Sequence, residues 1–121
     1  MSTVLIVEDS ITEMQVIASC LKRGGLNVET AGSGEEALAK ISSQKPDAII
    51  LDVVLPGRSG FELCRDLKSE ANTSKIPVVI CSTKGSEMDK FWGMKQGADA
   101  YIAKPIDQQQ LLQTVKQLIK G

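Results

Sequence analysis

Side chains able to do chemistry recur at the ends of apolar runs in this chain. Glu8 and Asp9 follow Val4 to Val7, Asp52 follows Ala48 to Leu51, Ser82 and Thr83 follow Val78 to Cys81, and Lys104 follows Ala100 to Ala103. Taken singly, each has an ordinary role: a turn acid, a helix-entry cap, a solvated cation. Their coincidence at the ends of four of five such runs is what points to a site. Carboxylates gathered in one place raise each other's pKa unless cations answer them, so the set predicts a bound metal beside the lysine. With hard oxygen donors only, that metal is Mg²⁺. The chain has no histidine. That removes the usual general base, the usual zinc ligand and any Ser–His or Cys–His pair.

The elements that must position these groups are legible from periodicity. Val4–Val7, Val28–Ala31, Ala48–Leu51, Val78–Cys81 and Ala100–Ala103 read as short buried strands. Between them, apolar residues recur at helical spacing: Met14, Ile17, Ala18 and Leu21; Ala37, Leu38 and Ile41; Phe61, Cys64 and Leu67; Met88, Phe91 and Trp92; Leu111, Leu112, Val115, Leu118 and Ile119. Helix starts follow the S-x-x-E pattern of a reciprocal capping box at Ser10-Glu13, Ser33-Glu36 and Ser59-Glu62, with weaker versions at Ser86-Asp89 and Asp107-Gln110. Gly24-Gly25, Pro46 and Gly97 fall where helices should stop. Strictly alternating strands and helices force a parallel sheet, because right-handed crossovers return the chain to one end. All strand C-termini then share one rim. There open α/β sheets place their ligands.

Composition narrows the class further. A chain of 121 residues suits one module spanning residues 1–121, and 14 basic against 15 acidic residues leave a net charge of −1, without the basic field that nucleic-acid binding needs. The apolar run Val4–Val7 is too short for a signal peptide or a membrane span, so a soluble, cytoplasmic protein is expected. Cys20, Cys64 and Cys81 show no C-x-x-C spacing and sit within apolar patterns. They read as buried free thiols.

The whole chain resembles a response-regulator receiver domain of the two-component signalling family, close to chemotaxis-type single-domain regulators. The residues that carry the resemblance are Glu8-Asp9, Asp52, Ser82, Lys104-Pro105 and the Gly97-Ala98 turn. It implies a doubly wound α/β fold with a five-stranded sheet of order 2-1-3-4-5 and five helices, whereas periodicity alone implies only the parallel sheet. It also implies that Asp52 accepts a phosphoryl group from a phosphohistidine on a histidine kinase or phosphotransfer protein. Glu8, Asp9, Asp52 and the backbone carbonyl of Val54 would hold Mg²⁺, with Glu8 acting through water, and Lys104 would neutralise the transferring oxygens. Ser82 and Tyr101 would carry the switch. The fourth helix, fifth strand and fifth helix would form the output face.

On that reading, Met88 and Phe91 belong to the core, while Trp92 is a partner anchor, with Lys84, Lys95 and Tyr101 beside it. Val54 and Lys84 also flank the path of a hydrolytic water. The loop after Asp52 departs from the family pattern, since Ser59 stands where an acid is more usual, and its expected role is to cap the third helix. With Gly121 directly after the fifth helix, the expected output is protein–protein contact by a monomer, with a partner in a flagellar, type IV pilus, twitching or phototaxis system. Rival readings are weaker. Gly32-Ser33-Gly34-Glu35-Glu36-Ala37 matches a dinucleotide fingerprint, but it follows the second strand and puts two acids where pyrophosphate would sit. An aspartyl-nucleophile hydrolase lacks a cap to enclose its substrate, and a scaffold without phosphorylation leaves the intact rim without a purpose.

Overall fold

The computed structural model describes residues 2–120. Five parallel strands, β1 (Thr3–Val7), β2 (Asn27–Ala31), β3 (Ala48–Leu51), β4 (Val78–Ser82) and β5 (Ala100–Ala103), stand in the order β2-β1-β3-β4-β5. They alternate with α1 (Ile11–Arg23), α2 (Gly34–Ser43), α3 (Gly60–Ser69), α4 (Glu87–Lys95) and α5 (Gln108–Lys120). The expected doubly wound fold and strand order are both present. The strands are buried in proportion to their position: β3 and β4 are buried at every residue, whereas edge strand β2 alternates with solvent. Hence a central strand reads as an unbroken apolar run.

Pleating divides the core in two. Leu5, Val7, Ile49, Leu51, Val78 and Ile80 face Ala37, Ile41, Leu63, Cys64 and Leu67 from α2 and α3. On the other face, Val4, Ile6, Ile50, Val79, Cys81 and Ile102 meet Ile17, Cys20, Leu21, Leu111 and Val115 from α1 and α5. Register then aligns the strand ends. Val7 pairs with Leu51, Leu51 with Ile80, and Ser82 with Ala103, so the residues that follow these strands share one edge.

Two expectations about helices need correction. The serine half of each predicted capping box is formed, with Ser10, Ser33 and Ser59 accepting from the N–H groups of Glu13, Glu36 and Glu62. The reciprocal half closes at Ser86-Asp89, a pair whose sequence match was weaker, while the glutamates at two of the other helix starts have different work. Glu36 accepts from Gly32 N–H at 2.8 Å and Glu13 turns to Lys104. The Gly32 amide that a dinucleotide phosphate would require is therefore already taken.

The second correction concerns α4. Met88 and Phe91 are not core residues: Met88, Phe91 and Trp92 are 74%, 57% and 51% exposed. The reason is steric. Gly93 faces the sheet, and a Cβ there would lie 2.7 Å from Tyr101 Cδ2 and 3.1 Å from Ile80 Cδ1. The helix thus approaches β5 on its glycine side. Its i, i+3, i+4 apolar stripe is turned outward.

Candidate functional site

Asp52 caps the end of β3, where its N–H donates to the Val7 carbonyl at 3.1 Å and ties it to β1. Its carboxylate is buried, with Oδ1 accepting from Val54 N–H at 3.3 Å and Oδ2 accepting from Lys104 Nζ at 3.0 Å. Lys104 arrives from the end of β5, held there by its N–H donating to the Ser82 carbonyl at 2.9 Å. The Lys104 side chain is 5% exposed and its ammonium also donates to Glu8 Oε1 at 2.5 Å and Glu13 Oε2 at 3.1 Å. Glu8 is itself buried, and its other oxygen accepts from Ser10 N–H at 3.1 Å.

Burial works against the charge on Asp52, Glu8 and Lys104, and the outcome differs by neighbour. For Asp52, burial pushes the pKa up, but the Ser82 hydroxyl, the Lys104 ammonium and the Val54 N–H outweigh it, and the carboxyl lies below its ordinary value. For Glu8, burial wins with help from the Asp52 charge, and its carboxyl lies above the ordinary value. Burial also pulls Lys104 down, but the hydrogen bonds it donates to three carboxylates carry it above the ordinary lysine value. Asp52 is therefore kept ionised at neutral pH. An ionised carboxylate is what a nucleophilic acid requires.

The sequence-predicted residues are distributed as follows. Glu8, Asp52, Ser82 and Lys104 are buried side by side at the rim. Asp9 is exposed at the mouth, outside the tightest acidic group of the described residues, which is Glu8, Glu13 and Asp52 with oxygens within 4.8 Å of one another. Sequence reasoning missed Glu13, whose S-x-x-E spacing assigned it to capping alone. Val54 follows Asp52 with a half-exposed side chain, and Lys84 is exposed, its N–H donating to Ser82 Oγ at 3.2 Å. Tyr101 is half-buried against Gly93, and its hydroxyl donates to the Lys84 carbonyl. Trp92 and Lys95 lie away from the rim on the exposed side of α4, with the Lys95 ammonium 5.5 Å from the Phe91 ring centroid.

Mg²⁺, which the fold family implies, fits this donor set. Three carboxylates answer one ammonium, which leaves charge for a divalent cation, and every donor is a hard oxygen. No helix among the described residues is long and apolar enough to cross a membrane. Cys20, Cys64 and Cys81 are buried free thiols, as expected.

Comparison with known proteins agrees with this geometry. The response regulator receiver domain model matches residues 4–116. The chain is 42% identical over 121 residues to protein PilH of Pseudomonas aeruginosa, covering all of both chains. Its fold is similar to that of the chemotaxis response regulator CheY4 of Vibrio cholerae, with a TM-score of 0.89 at 35% identity over 98% of each chain. It also resembles the receiver domain of the sensor histidine kinase PA1611 of P. aeruginosa, which has a magnesium ion coordinated in its active-site cleft. That match has a TM-score of 0.90 at 25% identity and covers 99% of this chain and 98% of the other. A parallel sheet of order 2-1-3-4-5, an ionised aspartate at its central rim and a full-length relative lead to one conclusion: the chain belongs to the response regulator receiver domain family, the signalling switches of two-component systems.

Proposed function

We propose that this chain is a phosphorylation-operated switch whose phosphoacceptor is Asp52. The observation that carries the reading is the buried, ionised Asp52 carboxylate with the Lys104 ammonium 3.0 Å away. An Asp52 oxygen attacks the phosphorus of a phosphohistidine on a partner histidine kinase or phosphotransfer protein; the P–O bond forms as the P–N bond breaks and the imidazole leaves. Glu8, Asp9, Asp52 and the Val54 carbonyl are the residues that would hold Mg²⁺, which when bound neutralises charge on the transferring group. Lys104 neutralises a further oxygen, and the Ser82 hydroxyl donates to the phosphoryl group. The only chemistry in this reading is the domain's own phosphorylation and dephosphorylation.

The output half of the proposal rests on the tether between Tyr101 and the Lys84 carbonyl in the β4–α4 loop. Movement of that loop toward a phosphoryl group on Asp52 changes the partner of the Tyr101 hydroxyl. It thereby biases the face made by α4, β5 and α5. The exposed stripe Met88, Phe91 and Trp92, with Lys84 and Lys95 nearby, supplies the apolar anchors a protein partner would use. Likeness to PilH and to a chemotaxis regulator supports a downstream partner in a pilus-based or flagellar motility apparatus, with a cytoplasmic monomer acting on it.

Intact-mass spectrometry after incubation with Mg²⁺ and acetyl phosphate tests the reading. One Mg²⁺-dependent phosphoryl adduct is expected on the wild type and none on Asp52→Asn. Failure of both acetyl phosphate and a partner kinase to label Asp52 would leave a non-phosphorylated scaffold instead.

A further inference from the structure

Lys104 has three ammonium N–H groups and donates to three carboxylates, so it has no free donor. Two of its acceptors, Glu8 Oε1 and Asp52 Oδ2, belong to the residues that would take a divalent cation. An ammonium and a cation drawn to the same oxygens compete. The third acceptor differs in both origin and surroundings. Glu13 stands in the first turn of α1 and not at a strand end, and its side chain is 41% exposed against 2% for Glu8 and 8% for Asp52. Its availability has a local cause. The Ser10 N–H, which a closed capping box would give to Glu13, is instead bonded to Glu8 Oε2. Glu8 does the capping, and Glu13 is released to Lys104.

We propose that Glu13 is a positioning residue for Lys104: it is the carboxylate that retains the ammonium when Glu8 and Asp52 give up their oxygens to a divalent cation and a phosphoryl group. Lys104 then stays beside Asp52 without contesting the cation. This inference rests on the phosphoacceptor reading and adds to it a residue that acts through the lysine.

A double-mutant cycle on cation binding tests it, with MgCl₂ titrated calorimetrically into the full chain as wild type, Glu13→Gln, Lys104→Gln and the double variant. Because the pair is partly exposed, Glu13→Gln is expected to weaken Mg²⁺ binding by about fivefold when Lys104 is present and by less than about twofold when it is Gln. Equal loss in both backgrounds, or no loss in either, overturns the proposal, since Glu13 would then be a plain local charge, a direct ligand or a bystander. Lys104→Gln leaves three carboxylates unanswered and could unfold the protein. Glu13→Asp tests the role without it: the charge is kept but the side chain is one methylene shorter, so Mg²⁺ affinity like that of Glu13→Gln excludes a plain local charge, and wild-type affinity overturns the proposal. Wild type that takes neither Mg²⁺ nor a phosphoryl group removes the phosphoacceptor reading and this inference with it. Wild type that takes both, with an additive cycle, removes this inference alone.

Discussion

Tyr101 is the single tyrosine of the chain, so its ionisation can be followed without interference from another phenol. Burial pushes its pKa from 10.0 up to about 12, with the charges of Asp89 and Asp52 adding to the effect. A raised folded-state pKa means that its contribution to stability is complete below pH 10.0 and is lost as the pH rises through about 12. Phenolate absorbance of the native protein should therefore show a midpoint near 12. Asp52→Asn should lower that midpoint by removing one of the charges that raise it. A native midpoint at 10.0 would mean that the ring is not buried against α4 in solution. At this same scale the sequence was least transparent for Glu13. The S-x-x-E spacing correctly placed its N–H on Ser10, but the destination of its carboxylate depends on Lys104, 91 residues away.

At the scale of elements, glycines set how closely helices approach the rim. A Cβ on Gly60 would overlap the Asp52 carbonyl oxygen and lie 2.8 Å from its carbon and 2.6 Å from Leu51 Cδ1. The Leu51 side chain could yield, but the Asp52 backbone carbonyl cannot. Gly60→Ala should therefore destabilise the protein by about 3 kcal/mol, read from a denaturant melt, and slow phosphoryl transfer by displacing Asp52. Ser59 caps α3 and anchors this junction from the other side, accepting from Glu62 N–H at 3.2 Å, as expected for the residue standing in an acid's usual place. Gly93 plays the matching part at β5. Periodicity identified α4 correctly but assigned Met88 and Phe91 of its stripe to the core, because it registers spacing and carries no direction. The close approach of Gly93 to Tyr101 decides which side of that helix faces inward.

For the molecule as a whole, three buried thiols report on both faces of the sheet. Cys64 lies in the α2–α3 cluster, whereas Cys20 and Cys81 lie in the α1–α5 cluster. Burial raises all three, Cys64 to about 11 and Cys81 to about 12, so little thiolate exists at neutral pH. In the native protein at pH 8 all three should resist Ellman's reagent and react together, at a rate that rises with denaturant in parallel with global unfolding. Earlier reaction of Cys64 alone would show that the α2–α3 face opens independently. The two clusters share a sheet only one residue thick, and β3 and β4 contribute to both. Cooperative loss of the two faces follows from that sharing.

Alternation of short apolar runs with helical spacing sufficed to establish an all-parallel sheet, because backbone pairing and right-handed crossovers leave few other arrangements. It also placed Glu8, Asp52, Ser82 and Lys104 at a common rim, since each directly follows or ends a strand whose register is set by burial on both faces. Local spacing could not show what depends on side chains meeting across the chain. The tertiary structure alone decided that Lys104 is shared among three carboxylates, that Asp9 faces solvent while Glu13 joins the cluster, and that Tyr101 holds the Lys84 carbonyl. Those outcomes are competitions for hydrogen bonds and space. Their partners lie far apart in sequence, and the fold must exist before any of them can be resolved.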